Sequence, residues 1–298
     1  MDALSAQTDV PFLETKGLTK RFGDLIANDS IDLSIYRREV QAVLGENGAG
    51  KSTLMKSLYG FHQPTSGEIF LDGERVTIAT PLAGRQLGIG MVFQNFTLIP
   101  AMTVLENIAL FLPDLGIVLH KDEISARIEE VMTRYDLDVN IETYVADLAM
   151  GERQKVEILK ILLGGAQVLI FDEPTSVLAP HEVDGLFRIF DKLRDDDYAV
   201  VFITHKLPEV MACADRITIL RQGRVGGEML REEATPHRIV SMMLGANPPE
   251  PVKRTTHADL EGKAMLRYEN VTMADEETGI GLRDVSFDPV SYTHLRAH

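Results

Sequence analysis

Gly45-Glu46-Asn47-Gly48-Ala49-Gly50-Lys51-Ser52 fits the pattern G-x-x-x-x-G-K-[ST]. Glycines let consecutive backbone N–H groups turn toward one centre, and a helix N-terminus adds a favourable dipole for phosphate. In such a loop, running from Gly45 to Thr53, Lys51 reaches the β- and γ-phosphates of a nucleotide and the Ser52 hydroxyl ligates Mg²⁺. The competing reading is a plain glycine-rich turn. Val168-Leu169-Ile170-Phe171-Asp172-Glu173 places two carboxylates after an apolar run. Asp172 suits a carboxylate held near Mg²⁺, and Glu173 a base that polarises an attacking water. Standing alone, the same pair reads as a solvated strand end; beside a phosphate loop the chemical reading gains.

These groups need a frame that brings them together. Val40–Leu44 reads as a strand feeding the glycine loop, and Leu54–Tyr59 as the helix that leaves it. Val168–Phe171 and Ala199–Ile203 are continuous apolar runs, the pattern of strands buried on both faces of a parallel sheet. The helix Glu182–Leu193 between them completes a βαβ unit. Ligands of such sheets bind at the carboxyl ends of the strands, where Asp172 and Glu173 lie. Phe12–Thr15, Ile31–Ile35 and the short run Gly67–Gly73 read as a β-rich arm. Gly90–Gln94 is a further short strand ending in a polar residue. Residues 104–163 read mostly as helix, with Ile124, Ile128 and Val131, then Val156, Leu159 and Leu163, at helical spacing. The expected fold is α/β: a P-loop NTPase core with an antiparallel β subdomain and an inserted helical subdomain at about 95–165.

More motifs narrow the reading. Leu148-Ala149-Met150-Gly151-Glu152-Arg153-Gln154 precedes an amphipathic helix and ends 18 residues before Asp172. Asp172-Glu173-Pro174-Thr175-Ser176 runs on into Val177-Leu178-Ala179-Pro180, Gln94 lies 43 residues after Lys51, and His205 follows Phe202-Ile203-Thr204. The ordered set resembles the ATP-binding subunits of ABC transporters over residues 12–245. Gly151 to Lys160, together with a doubled architecture, resembles the subunits that power import of simple sugars and nucleosides.

The resemblance implies roles, residue by residue. Phe22 looks like the aromatic platform under adenine; a turn or core phenylalanine is its bland alternative. Gly45, Glu46, Asn47, Gly48, Ala49, Gly50, Lys51, Ser52 and Thr53 would hold the phosphates of ATP. Ser52, Gln94 and Asp172 would face Mg²⁺, and Gln94 would relay to a membrane subunit. Glu173 would be the base, with His205 bracing the γ-phosphate and the water. Leu148, Ala149, Met150, Gly151 and Glu152 would act on the nucleotide of an opposing lobe. Two departures stand out: Ala149 replaces a common serine, and Ala179 replaces a common aspartate. Each removes a contact to the opposing lobe, which suits an asymmetric two-site ATPase. The implied partners are integral-membrane permease subunits, a second ATP-binding lobe and, indirectly, a solute-binding protein. The implied location is the cytoplasmic face of a prokaryotic inner membrane, held peripherally.

Composition bounds the alternatives. The 298 residues are 45% hydrophobic and 25% charged, as in an ordinary globular protein, with one cysteine, Cys213. A formal net charge of −15 disfavours nucleic acid as the main partner. It leaves a local polyphosphate site untouched. A soluble ABC-type ATPase acting on ribosomes or nucleic acid is the rival reading. It calls for a long basic insertion, whereas the stretch 246–262 is short. That stretch, with Asn247-Pro248-Pro249-Glu250-Pro251, reads as a linker, and residues 1–10 as a loose arm. Leu13–Thr19 is echoed by Leu266–Thr272, and Asn28–Leu33 by Leu282–Phe287. Residues 263–290 therefore read as the start of a second ABC domain that stops before its own glycine loop, and 291–298 as a non-native tail. His181, Cys213, Met91, Met150, Met242 and Met243 read as packing or surface, and Asp195-Asp196-Asp197 as a solvated turn.

Overall fold

The computed structural model describes residues 10–112, 121–245, 268–273 and 282–287. The linker 246–262, the tail 291–298 and nearly all of the arm 1–10 lie outside the described residues. The chain divides into two units, Met1–Pro248 and Pro249–His298.

In the first unit the strands are β1 (Leu13–Phe22), β2 (Leu25–Ile35), β3 (Val40–Leu44), β4 (Ser66–Leu71), β5 (Glu74–Val76), β6 (Ile89–Val92), β7 (Val168–Asp172), β8 (Ala199–Thr204), β9 (Arg216–Arg221) and β10 (Arg224–Leu230). The helices are α1 (Lys51–Leu58), α2 (Pro81–Gln86), α3 (Val104–Phe111), α4 (Lys121–Tyr135), α5 (Met150–Leu163), α6 (Pro180–Asp195), α7 (Leu207–Cys213) and α8 (Pro236–Leu244). β2-β1-β4-β5 form an antiparallel sheet; β10-β9-β3-β8-β7-β6 form the main sheet. Within the main sheet β9, β3, β8, β7 and β6 run parallel, and β10 closes one edge antiparallel to β9.

The apolar runs explain the layering. In β7, Val168 and Ile170 enter one core while Leu169 and Phe171 enter the other. In β8, Ala199, Val201 and Ile203 oppose Val200 and Phe202 in the same way. A strand turns successive side chains to opposite faces, so a sheet covered on both sides needs continuous hydrophobicity. One face packs on α1 and the antiparallel sheet through Leu54, Met55, Leu13 and Leu33. The other packs on α3 to α6, with Phe171, Phe190 and Phe202 stacked at its centre (4.7 and 5.8 Å between centroids).

Three details differ from the sequence reading. α1 begins at Lys51 rather than Leu54, so Lys51, Ser52 and Thr53 form the first helical turn. The hairpin β9–β10 was not anticipated, although Gln222 (φ 49°) and Gly223 (φ 77°) make the two-residue turn that joins twisted strands. Asp196 is not merely solvated: its carboxylate accepts from Arg134 Nε (2.7 Å) and Tyr135 OH (2.8 Å). Among the described residues no helix is long and apolar enough to cross a membrane.

The second unit contains an antiparallel pair, β11 (Tyr268–Met273) and β12 (Leu282–Phe287). It reproduces the irregularities of β1–β2 at the positions the repeat aligns. Gly17 and Ser30 have φ of 59° and 54°; Asn270 and Asp284 have 52° and 53°. The Gly17 amide donates to Asp32 Oδ1 (2.7 Å), as that of Asn270 does to Ser286 Oγ (2.8 Å). The Ser30 amide donates to Thr19 Oγ1 (3.0 Å), as that of Asp284 does to Thr272 Oγ1 (3.2 Å). Asparagine and aspartate tolerate the left-handed region better than other residues with a Cβ, so they can stand where glycine and serine do.

Candidate functional site

The phosphate loop leaves β3 at Leu44 and turns through Gly48 (φ 83°) and Gly50 (φ 98°) into α1. A Cβ on Gly50 would lie 2.3 Å from the Ala27 carbonyl oxygen, so both backbone angle and space require glycine there. The Ala49 amide closes the turn on the Glu46 carbonyl (3.1 Å). Lys51 is buried, and its ammonium donates back to the carbonyls of Gly45 (2.7 Å) and Glu46 (2.9 Å). Burial holds this ammonium below the usual lysine range, against the opposing pull of Glu173 and Asp172.

Ser52 Oγ donates to Asp172 Oδ1 (2.9 Å), which joins the first turn of α1 to the end of β7. Burial pushes the Asp172 carboxyl above its ordinary range; the Ser52 bond and Lys56 act in the opposite sense. The next residue, Glu173, adopts φ 49°, a rare backbone state for a residue with a Cβ. That twist turns its carboxylate to meet two neighbours. Gln94 Nε2 donates to Glu173 Oε2 (3.3 Å), and His205 Nδ1 lies 3.1 Å from Glu173 Oε1. Gln94, Glu173 and His205 follow β6, β7 and β8, three adjacent parallel strands, so neighbouring strand ends bring them to one point.

Phe22 sits at the tip of the β1–β2 hairpin, 43% exposed, with the His62 ring edge-on at 5.2 Å and Lys20 Nζ over its ring at 4.9 Å. Leu148, Ala149, Met150, Gly151 and Glu152 lead into α5, and among the described residues none of them hydrogen-bonds to the phosphate loop. Ala149 is the N-cap of α5 and Ala179 the N-cap of α6. Neither side chain can cap, so each helix keeps only the return bond: Glu152 Oε2 accepts from the Ala149 amide and Glu182 Oε2 from the Ala179 amide, both at 2.8 Å. The two helix starts also touch. A Cβ on Gly151 would fall 2.1 Å from Glu182 Oε1.

Sequence reasoning missed several supporting groups. Asn28 Nδ2, fully buried, donates to the Gly50 carbonyl (3.0 Å) and braces the loop from β2. On α5, Glu157 and Lys160 are buried among apolar residues. Glu157 Oε1 accepts from the Thr97 amide and hydroxyl, Lys160 Nζ donates to Thr97 Oγ1 (2.8 Å), and the two charges lie 2.9 Å apart. That ion contact is off the hydrogen-bond line, so Glu157 Oε2 is held by charge alone. The signal was two opposite charges three residues apart, flanked around the helix by the apolar Val156 and Ile161.

The family model described as ABC transporter matches residues 28–176. The glucose import ATP-binding protein TsgD13 of Haloferax volcanii is 39% identical over 90% of this chain and 54% of its own length. The nucleoside import ATP-binding protein NupA of Lactococcus lactis is 43% identical over 76% of the chain and 45% of its own. The ribose import ATP-binding protein RbsA 1 of Rubrobacter xylanophilus is 42% identical over 93% and 54%. The chain thus spans about half the length of the curated relatives it matches. Among solved structures, cbiO1 of Clostridium perfringens, part of an ABC transporter complex, superposes with TM-score 0.67 at 27% identity, over 78% of this chain and 93% of its own. A nucleotide-free ATP-binding cassette from an ABC transporter superposes at 0.70 with 22% identity, over 78% and 98%, which speaks to the fold alone. The α/β architecture is that of an ABC ATP-binding cassette, and the chain belongs to the ABC transporter family.

Proposed function

We propose that this chain binds and hydrolyses ATP to power import of a small solute, a simple sugar or nucleoside, through a partner permease. The observation that carries the reading is the convergence of Gln94, Glu173 and His205 beside the Ser52–Asp172 pair and the phosphate loop. In this reading the loop amides and Lys51 grip the β- and γ-phosphates, and Phe22 offers its ring to adenine. Glu173 accepts a proton from water as the water oxygen bonds to the γ-phosphorus; the bond to the ADP oxygen breaks. His205 and Gln94 hold the carboxylate and the water in line, and such positioning supplies much of the rate.

Mg²⁺ suits the donors present: the Ser52 hydroxyl, the Asp172 carboxylate and the Gln94 amide oxygen are hard oxygen ligands. Asp172 already bears a burial cost that a cation offsets. Bound there, the ion would neutralise charge building on the phosphates. Support for the solute class comes from its relatives, which are import ATP-binding proteins for glucose, nucleosides and ribose. The irregularities that β11–β12 shares with β1–β2 support reading residues 263–290 as the start of a second ABC lobe. That lobe, permease subunits and, indirectly, a solute-binding protein are the proposed partners, at the cytoplasmic face of a prokaryotic inner membrane.

The test is ATP hydrolysis by Glu173→Gln. Loss of a general base predicts a fall of about 100-fold or more with ATP still bound. Hydrolysis at the wild-type rate by a variant that binds ATP would remove Glu173 from the role. Co-purification with a multi-spanning membrane protein separates the importer from a soluble ATPase acting on ribosomes or nucleic acid.

A further inference from the structure

Among the α-helices whose N-cap residue is described, four, α3, α5, α6 and α7, carry glutamate at the third helical position: Glu106, Glu152, Glu182 and Glu209. Three of the four do what that position favours and accept from the amide of their own N-cap residue, each at 2.8 Å. Glu209 does not. The amide of its N-cap residue, Lys206, donates instead to Thr204 Oγ1 (3.0 Å). The Glu209 carboxylate is buried and bridges the loop after β7 and the end of β8. Its Oε1 accepts from Thr175 Oγ1 (2.5 Å) and its Oε2 from Thr204 Oγ1 (2.8 Å). Lys206 Nζ locks the same knot, lying 3.1 Å from Glu209 Oε1 and donating to Thr175 Oγ1 (3.1 Å) and the Thr175 carbonyl (3.2 Å).

The positions of these partners give the knot its meaning. Thr175 lies two residues after Glu173, and Thr204 and Lys206 flank His205. One rigid carboxylate therefore sets the separation of the two segments that carry the Glu173–His205 contact. Bonds from hydroxyls to an ionised, buried acceptor are the strong kind. They also act where support is needed, because Glu173 holds a left-handed backbone that persists only when its surroundings over-determine it.

We infer that Glu209 is a positioning residue for the hydrolytic step, holding the Glu173 and His205 segments at the spacing in which their side chains meet. The inference rests on the assignment of Glu173 and His205 made above. It predicts a split between binding and turnover, since none of the knot's contacts reaches Gly45–Thr53.

The experiment compares Glu209→Ala, Glu209→Gln, His205→Ala and the double variant Glu209→Ala/His205→Ala in the whole chain. ATP affinity is measured by titration and turnover with Mg·ATP. Hydrogen exchange of the peptides spanning 172–177 and 202–207 is followed without nucleotide. Glu209→Ala is expected to keep wild-type ATP affinity, lose turnover on the order of 100-fold, as a misplaced reacting group does, and raise exchange in both peptides together. Glu209→Gln, whose amide can accept from one threonine and donate to the other, is expected to recover most of both. In the His205→Ala background, Glu209→Ala should cost clearly less than it does alone, because the Glu173–His205 contact that it holds is already lost. Unchanged turnover, full additivity with His205→Ala, or exchange confined to α7 would each overturn the inference. If the wild-type chain itself failed to hydrolyse ATP, the functional reading would fall, and the exchange of the two peptides would still decide whether Glu209 ties them.

Discussion

Lys160→Met removes one charge from the pair that ties the helix α5 to the segment just after Gln94. The side chains of Lys160 and Glu157 are 6% and 1% exposed and 2.9 Å apart, so Glu157 is left as a lone buried carboxylate held by Thr97. Breaking such a pair by removing one partner costs about 3–5 kcal/mol. The expected loss is therefore about 3–5 kcal/mol, seen as a fall in melting temperature of about 10 °C for a domain of this size. Urea and thermal unfolding measure both numbers. The double variant Glu157→Gln/Lys160→Met, which buries no charge, should regain most of the loss. A loss below about 1 kcal/mol, or a double variant no more stable than Lys160→Met alone, would refute a dry, charge-dependent tie between α5 and Thr97.

Restoring the absent caps should stabilise the chain: Ala149→Ser and Ala179→Asp each add an acceptor at an extended N-cap and should gain about 1 kcal/mol in thermal unfolding. Gly151→Ala should cost stability and turnover together, because the methyl displaces Glu182 Oε1 and with it the bond that Glu182 accepts from the Ala179 amide; adding Glu182→Ala should relieve the clash, as double-mutant melting and ATPase assays will tell. His62 is held below the usual histidine range by burial, with Lys20 and Lys56 repelling its charged form. A base whose folded pKa is lowered loses stability as pH falls below its unfolded value, so the advantage of His62→Gln over the parent should grow below about pH 6.5 in paired unfolding curves.

Much of the site was readable because its chemistry is contiguous. Gly45 to Ser52 and Asp172-Glu173 are short runs whose residue types dictate local geometry: glycine where φ is positive, lysine and serine where a helix begins, acids where an apolar run stops. The layering was readable from Val168–Phe171 and Ala199–Ile203, since only strands covered on both faces need continuous hydrophobicity. The hairpin β9–β10 escaped notice because Gln222 is an unusual residue for its turn. Glu157 and Lys160 escaped because a charged pair on a helix reads as surface until its burial is seen.

The tertiary structure alone decided which distant residues meet. Gln94, Glu173 and His205 are separated by 79 and 32 residues and converge only because β6, β7 and β8 are neighbours in the sheet. Ala149 and Ala179 stood out by sequence as two departures; the fold makes them one kind of change, the loss of a side-chain cap at two touching helix starts. Glu209 is the sharpest case. By sequence it is an acid in the first turn of a short helix, where a return bond to the N-cap amide is the local expectation. Only the approach of Thr175, 34 residues away in the loop after β7, beside Thr204 at the end of β8, draws its carboxylate inward, because a buried charge settles on whichever donors the fold brings to it.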